Sequence, residues 1–436
     1  MEELLEIARK ASDQVEVYSL DHTVDSVSFE NAKLKDIDSK LQSGISLRII
    51  KGGNLGFAFT RNLISGEEFL QNALDSLNGG VEAGFDLPVT RDLAQLDTYN
   101  PAIESLTNTT IVDECNRICE MLAPRTNGQL NVNAGRVTSK VRLLNSNGTD
   151  LSSRSSLYYC RTAIMYPGSY SAISRLVVFK DFEKTPDEHL NFIINTYNKS
   201  LKEVSPRGRK MKVLFLPDTI YGLIWRLQSA TNGKNIYEKK SPVSEKLGEE
   251  IFDRQLTIYD DPLNDEIPGA RSFDDEGTPC RYFPVVENGV LKNFYYDLHY
   301  ADKLKASPTG HGFRSAMWGG DPIATKPTPS LDHLFIKPGD KSLSELIGSI
   351  DRGIIIAGVL GAHSGNIPNG DFSMGLSPGL YVEKGEIVGN VKDAMVAGNI
   401  YEVMKNVLAI EDTLYPAMMG TFPAILFDSV SVATKS

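Results

Sequence analysis

Apolar residues recur at helical spacing from the start of the chain, where Leu4, Leu5, Ile7, Ala8 and Ala11 share one stripe. The period then shortens, and strands are predicted within residues 15–20, 23–30, 34–37 and 44–60. The last stretch folds back on itself: Ile45 to Ile49 and Leu55 to Phe59 flank the turn signal Lys51-Gly52-Gly53-Asn54. Ser65-Gly66-Glu67-Glu68 has the form of a capping box. Phe69, Ala73, Leu74 and Leu77 form the stripe of the helix after it, and Gly79-Gly80 ends that helix. Residues 85–108 lack periodicity and read as an extended connector.

A second helix is predicted over 111–122, then strands through Val132 and over 141–144 and 156–165, with Asn147-Gly148 as a turn. Leu190, Ile193, Ile194, Tyr197 and Leu201 mark a helix over 186–204. The polar stretch Ser205-Pro206-Arg207-Gly208-Arg209-Lys210 is the candidate domain boundary. Val213 to Leu216 reads as a buried strand, with Pro217-Asp218-Thr219 opening a helix. Further on, Glu287-Asn288-Gly289 and Glu383-Lys384-Gly385 mark hairpins, and Ser342 with Glu345 forms a second capping box. A helix near 400–408 and a strand over 424–432 close the pattern. Strands and helices in runs, without regular alternation, predict an α+β fold of two domains. These are an N-terminal helix–strands–helix layer domain over 1–204 and a strand-rich C-terminal domain over 211–436.

Composition narrows the class. Lys+Arg number 45 against 56 Asp+Glu in 436 residues, a net charge of −11 with no basic block. Affinity for a phosphate backbone comes from clustered cations, so direct nucleic-acid binding is excluded. Four cysteines do not make a disulfide framework at this length and point to a reducing compartment. The acidic start is unlike a signal peptide, and the longest apolar run, about ten residues, is half of what a spanning helix needs. A cytoplasmic protein with no membrane association is the expectation.

No self-contained active site emerges from the residues. The histidines (22, 189, 299, 311, 333 and 363) include no pair three or four apart, so no helix presents two of them to zinc. Cys115 and Cys119 share a helix face with Ile111, Ile118 and Leu122 and read as core thiols. Gly361-Ala362-His363-Ser364-Gly365, with Asp371 nearby, sets a serine beside a histidine, but adjacent side chains in extended backbone diverge. Gly52-Gly53-Asn54-Leu55-Gly56 lies in a hairpin rather than before a helix and is a poor phosphate loop. Asp260-Asp261 with Asp265-Glu266, and Asp274-Asp275-Glu276-Gly277, lack calcium-loop spacing and read as solvated turns.

Several segments carry a resemblance. They are Ser272-Phe273-Asp274-Asp275-Glu276-Gly277-Thr278-Pro279, Glu287-Asn288-Gly289-Val290-Leu291-Lys292-Asn293-Phe294 and Pro308-Thr309-Gly310-His311-Gly312-Phe313-Arg314. Ile336-Lys337-Pro338-Gly339-Asp340-Lys341-Ser342-Leu343, His363-Ser364-Gly365-Asn366, Gly370-Asp371-Phe372-Ser373 and Gly398-Asn399 complete the series. In order and spread they resemble the TldD/PmbA family, and most its PmbA (TldE) branch, over essentially the whole chain.

The resemblance implies a metal-dependent peptidase that digests unfolded or extended peptides as a heterodimer. In it the TldD subunit holds zinc through a His-Glu-x-x-x-His helix and a distant cysteine. The counterpart here follows Val213 to Leu216 and reads Tyr221-Gly222-Leu223-Ile224-Trp225-Arg226-Leu227-Gln228-Ser229-Ala230-Thr231, without His, Glu or Cys. The implied role is a non-catalytic subunit with no cofactor of its own, zinc residing in a TldD-like partner. Its contribution is to the chamber, the substrate edge and the dimer interface, with a homodimer open to the isolated chain. Asp274, Asp275, Glu276, His311, His363, Ser364, Asn366 and Asp371 are the candidate groove or interface residues, with Gly277, Gly365 and Gly370 as turn formers. The alternatives are an active peptidase with ligands gathered from distant segments, such as His311 and His363, or using Ser364, and a protein that modulates DNA gyrase.

Overall fold

The computed structural model describes residues 1–63, 65–314 and 320–434. Four long strands dominate the N-terminal half. The residues read as four short strands form β1 (Gln14–Glu30), β2 (Lys33–Lys51) and β3 (Asn54–Thr60). The polar residues at the middle of β1 and β2 interrupt the apolar pattern but not the pairing, which runs from Gln14↔Ile50 to Glu30↔Lys33. Likewise the strands expected on either side of 133–140 are one, β4 (Gln129–Asn145), which pairs with β5 (Asp150–Met165). Beyond it lies β6 (Ala172–Phe179), whose alternating pattern went unread. The six form one antiparallel sheet in the order β3-β2-β1-β4-β5-β6.

Helices cover one face of this sheet. α1 (Glu2–Arg9) and α2 (Gly66–Asp75) bury Val15, Val17, Leu47 and Ile49. Ser65 caps α2 by accepting from the Glu68 amide. After the short α3 (Pro101–Glu104), α4 (Asn108–Leu122) and α5 (Asp187–Lys199) cover the other end of the same face. Their core holds Val27, Phe29, Tyr158 and Cys160 with Ile111, Cys115, Ile118 and Leu190, so the cysteine pair of α4 is packed as a core stripe.

That core continues into the C-terminal half. β7 (Arg209–Phe215) lies inside a nine-stranded sheet, parallel to Arg352–Ile356 and antiparallel to Ile425–Ala433. Leu214, Ile355, Leu380 and Leu426 face the α4/α5 layer. Val213, Phe215, Ile354 and Phe427 face the opposite way, onto α6 (Pro217–Thr231). Burial on both faces explains why β7 reads as a continuous apolar run. A smaller sheet, ending in Tyr415–Ala417, packs beside α6. Mixed α+β architecture with a strand-rich C-terminal region is what the pattern predicts. The helix expected near 400–408 is confined to Ile400–Val403. Among the described residues no helix is long and apolar enough to cross a membrane.

Candidate functional site

The acidic segment at 274–276 is not a solvated turn. Asp274, Asp275 and Glu276 are all buried beneath the face of the first sheet that carries no helices. Gly277, at φ +82°, closes a turn in which Asp274 accepts from the amides of Glu276 (3.0 Å) and Thr278 (2.8 Å) and, with its other oxygen, from Gly312 (2.9 Å). Asp275 accepts from the Tyr18 hydroxyl at 3.2 Å, from Arg271, and from the Arg314 amide at 2.8 Å. Glu276 accepts from Arg48 Nη1 at 2.7 Å and from the Leu298 amide at 2.7 Å. Arg48 also forks onto Glu16, which takes a further bond from Arg314 at 3.1 Å. Two charges of β1–β2, Glu16 and Arg48, with Tyr18 and their partners in the C-terminal half, thus form one buried network.

Burial governs its protonation. Asp274 is driven well above the usual carboxylate range by burial and then by Glu276. Asp297, at the start of a short helix, is pushed up to about 8 by the same two causes. For Asp275 burial also pushes upward, but Arg271 and the Arg314 amide outweigh it and hold the carboxyl low. Beside the network lies a cavity of about 450 Å³ whose lining includes Tyr18, Arg271, Asp275, Phe313, Arg314 and Asp332.

The loop over 363–373 lies elsewhere, behind α6. Arg226, fully buried on that helix, donates to the carbonyls of Ala362 (3.0 Å), Ser364 (2.7 Å) and Asp371 (2.6 Å), and to Gly222 in its own helix. Burial lowers its guanidinium to about 10, against the pull of Asp371. Gly365 (φ +102°) and Gly370 (φ +87°) take backbone conformations closed to other residues, and a Cβ on Gly365 would meet the Asp371 carbonyl at 2.5 Å. His363, Asn366 and Asp371 are exposed and Ser364 is half-buried. Asp371 accepts from Asn399 at 2.9 Å. No hydrogen bond among the described residues joins His363 to Ser364 or Asp371, so no nucleophile–base pair is assembled there.

His311 is internal. Its Nδ1 meets Thr309 Oγ1 at 2.8 Å, its Nε2 lies 3.4 Å from Asp260, and its ring packs on Phe283. It shares no site with the surface His363. Among the described residues no three His, Cys, Asp or Glu side chains converge as a metal site. On α6 the half-buried stripe is Asp218, Tyr221, Trp225 and Ser229. Such a donor set does not fit zinc. Close by, β6 and Tyr415–Ala417 are sheet edges without an outer strand among the described residues, and a slot of about 470 Å³ between them is lined by Val177, Phe179, His189, Pro268 and Tyr415.

Residues 208–434 match the model of the PmbA/TldA metallopeptidase C-terminal domain, and residues 15–77 that of PmbA/TldA metallopeptidase domain 1. The chain belongs to the PmbA/TldD family. An uncharacterised protein of Methanocaldococcus jannaschii is 28% identical over 422 residues, covering 94% of this chain and 95% of its own. A Methanothermobacter thermautotrophicus metalloprotease is 27% identical over 400 residues, 88% of this chain and 84% of its own. The crystal structure of TldE from Thermococcus kodakarensis superposes with a TM-score of 0.90 over 99% of both chains at 23% identity, so the fold is shared. The PmbA/TldD family is one of metallopeptidase-type proteins.

Glu16, Tyr18, Arg48, Arg226 and Arg314 were not singled out from the sequence. Charged residues alternating with apolar ones in a strand signal a solvated face, and nothing local announces that 274–276 will cover it. The signal for Arg226 was a lone cation in the apolar stripe of a helix flanked by Leu223, Ile224 and Leu227.

Proposed function

We propose that this chain is the non-catalytic, TldE-like subunit of a TldD/TldE-type zinc peptidase complex acting on unfolded or extended peptides. The observation that carries this reading is the outward stripe of α6. Where the TldD-like helix sets two histidines five residues apart, residues 221–231 hold no His, Glu or Cys; the outward positions carry Tyr221 and Trp225, and the one cation, Arg226, is spent on the carbonyls of the 362–371 loop. Aromatic side chains there can wall a chamber but cannot polarise a scissile carbonyl. The free edges of β6 and Tyr415–Ala417 suit an extended backbone, which pairs with an edge irrespective of side-chain sequence. In this reading the chain closes the chamber and contributes substrate edge, and a TldD-like subunit supplies the zinc.

Elemental analysis of the chain purified alone from zinc-replete cells, with digestion of casein fragments, tests the proposal. Substoichiometric zinc and no digestion, with activity appearing on addition of a subunit bearing the His-Glu-x-x-x-His helix, is expected. One tightly held zinc per chain with chelator-sensitive digestion would overturn it.

A further inference from the structure

The boundary stretch predicted at 205–210 brings cations to one end of the nine-stranded sheet. Alternation along β7 puts Arg209 on the same face as the buried Met211, Val213 and Phe215. In the neighbouring strand, Arg352–Ile356, Ile354 and Ile356 face that way, so Arg352 does too. The register Gly353↔Lys212 sets Arg352 beside Met211, two residues from Arg209. Tyr381, half-buried and opposite Ile354 in the strand beyond, shares the face. With Pro206 and Arg207 these side chains line a cavity of about 230 Å³. A second hollow, of about 700 Å³, shares Pro206, Arg207 and Arg209 and is also lined by Ser205, Lys210 and Ser431. Among the described residues no Asp or Glu lines either one.

Four cations without a carboxylate between them are the reverse of a chain whose net charge is −11. Arg207, Arg209 and Lys210 are exposed, and their side chains make no ion pair or hydrogen bond with another described residue. Arg352 reaches Glu383 through Nε at 3.5 Å, a weak pair between two exposed side chains. The backbone that carries them is held in place. Thr434 donates to the Pro206 carbonyl at 2.8 Å, and a Cβ on Gly208 would meet the Val432 carbonyl and the Thr434 amide nitrogen at 3.0 Å. Three guanidinium groups around one hollow repel each other, and a bound anion relieves that repulsion. Their planar forks match the oxygens of a phosphate in pairs, and the Tyr381 hydroxyl can add a further donor. The smaller cavity has the volume of about seven liquid waters, which admits a phosphate group but no polymer.

We propose that Arg207, Arg209 and Arg352 form a binding site for the phosphate group of a small anion. Isothermal titration calorimetry of the full chain at fixed ionic strength, with inorganic phosphate and with ribose 5-phosphate, is the test. One ligand per chain with a Kd below about 1 mM is expected. Tighter binding of ribose 5-phosphate would seat the rest of an organic phosphate in the larger hollow, and equal affinity would make free phosphate the ligand; both support the site. Arg209→Gln weakens binding about tenfold, the loss of one charge-assisted bond. Arg209→Lys keeps the charge but loses the fork and weakens it several-fold. Arg254→Gln makes the same charge change at an exposed arginine that lines neither hollow, and leaves the Kd within about twofold. No binding of either ligand at millimolar concentration overturns the proposal. So does equal weakening by Arg209→Gln and Arg254→Gln, or a single-stranded oligonucleotide bound in place of both small ligands.

Discussion

Arg48 of β2 binds Glu276 at 2.7 Å, a contact between residues 228 apart in sequence and fully sheltered from water. The same guanidinium holds Glu16 through a second fork, so one cation neutralises two carboxylates at the seam between the first sheet and the C-terminal half. Removing it leaves Glu276 with only the Leu298 amide and Glu16 with only Arg314. Arg48→Ala is expected to destabilise the chain by about 3–5 kcal/mol, because a buried charge without its partner is far worse than no charge at all. Urea denaturation of Arg48→Ala, of Glu276→Gln and of the double variant checks this. Strong non-additivity is the expected result, and additive effects would refute the coupling.

Arg226 links α6 to the 362–371 loop through backbone carbonyls alone. Lysine lacks the planar fork, so Arg226→Lys leaves buried acceptors unsatisfied at a loss of about 2–4 kcal/mol. Amide hydrogen exchange over 362–373 should quicken while β1 and β4 stay protected. Uniform protection in the variant would show that the loop holds itself.

Stability should fall as the pH rises. The Asp297 carboxyl is pushed up to about 8 by burial and by Glu276, whereas in the unfolded chain it titrates near 4. Between those values the folded state binds the proton more tightly, so deprotonation works against folding and stability declines from about pH 4 through about pH 8. Asp297→Asn keeps an acceptor for the Tyr300 amide and removes the titration. Thermal melts from acid to mildly alkaline buffer should be flatter for the variant, by up to about 1.4 kcal/mol per pH unit. A variant with the wild-type slope would place the proton elsewhere in the network.

All four cysteines are buried, and burial pushes Cys119 and Cys160 each up to about 11. Thiolate is the reactive form, so the native protein should resist iodoacetamide at neutral pH and the denatured chain should take up four equivalents. Rapid labelling of a native thiol would contradict the packing of α4 on β5.

Much of the fold could be read from the chain because its signals are local. The turn at Asn288-Gly289 closes the hairpin expected of it. Ser342 and Glu345 exchange both bonds of a capping box. The apolar run before Pro217 lies inside a sheet with α6 after it. Polar residues misled where local and distant environments part. Asp274, Asp275 and Glu276 have the composition of a solvated turn, and it is the approach of Arg48 and of the Gly312 and Arg314 amides from other segments, beside the local Arg271, that makes their burial tolerable. β1 and β2 read as fragments for a related reason: backbone pairing carries them through polar stretches that hydrophobic periodicity cannot see.

Sequence by itself determined the α+β class, the family resemblance and the absence of His, Glu or Cys along 221–231. Each is a property of residue order, and spacing along one helix or strand carries it. Tertiary structure alone decided that Glu16, Arg48 and Glu276 share one buried site, that Arg226 anchors the loop after Ala362, and that β3 pairs with β2 only from Ile45 to Lys51. Those relations join residues far apart in the chain, and a charge's partner or an edge's neighbour exists only once the sheets have packed.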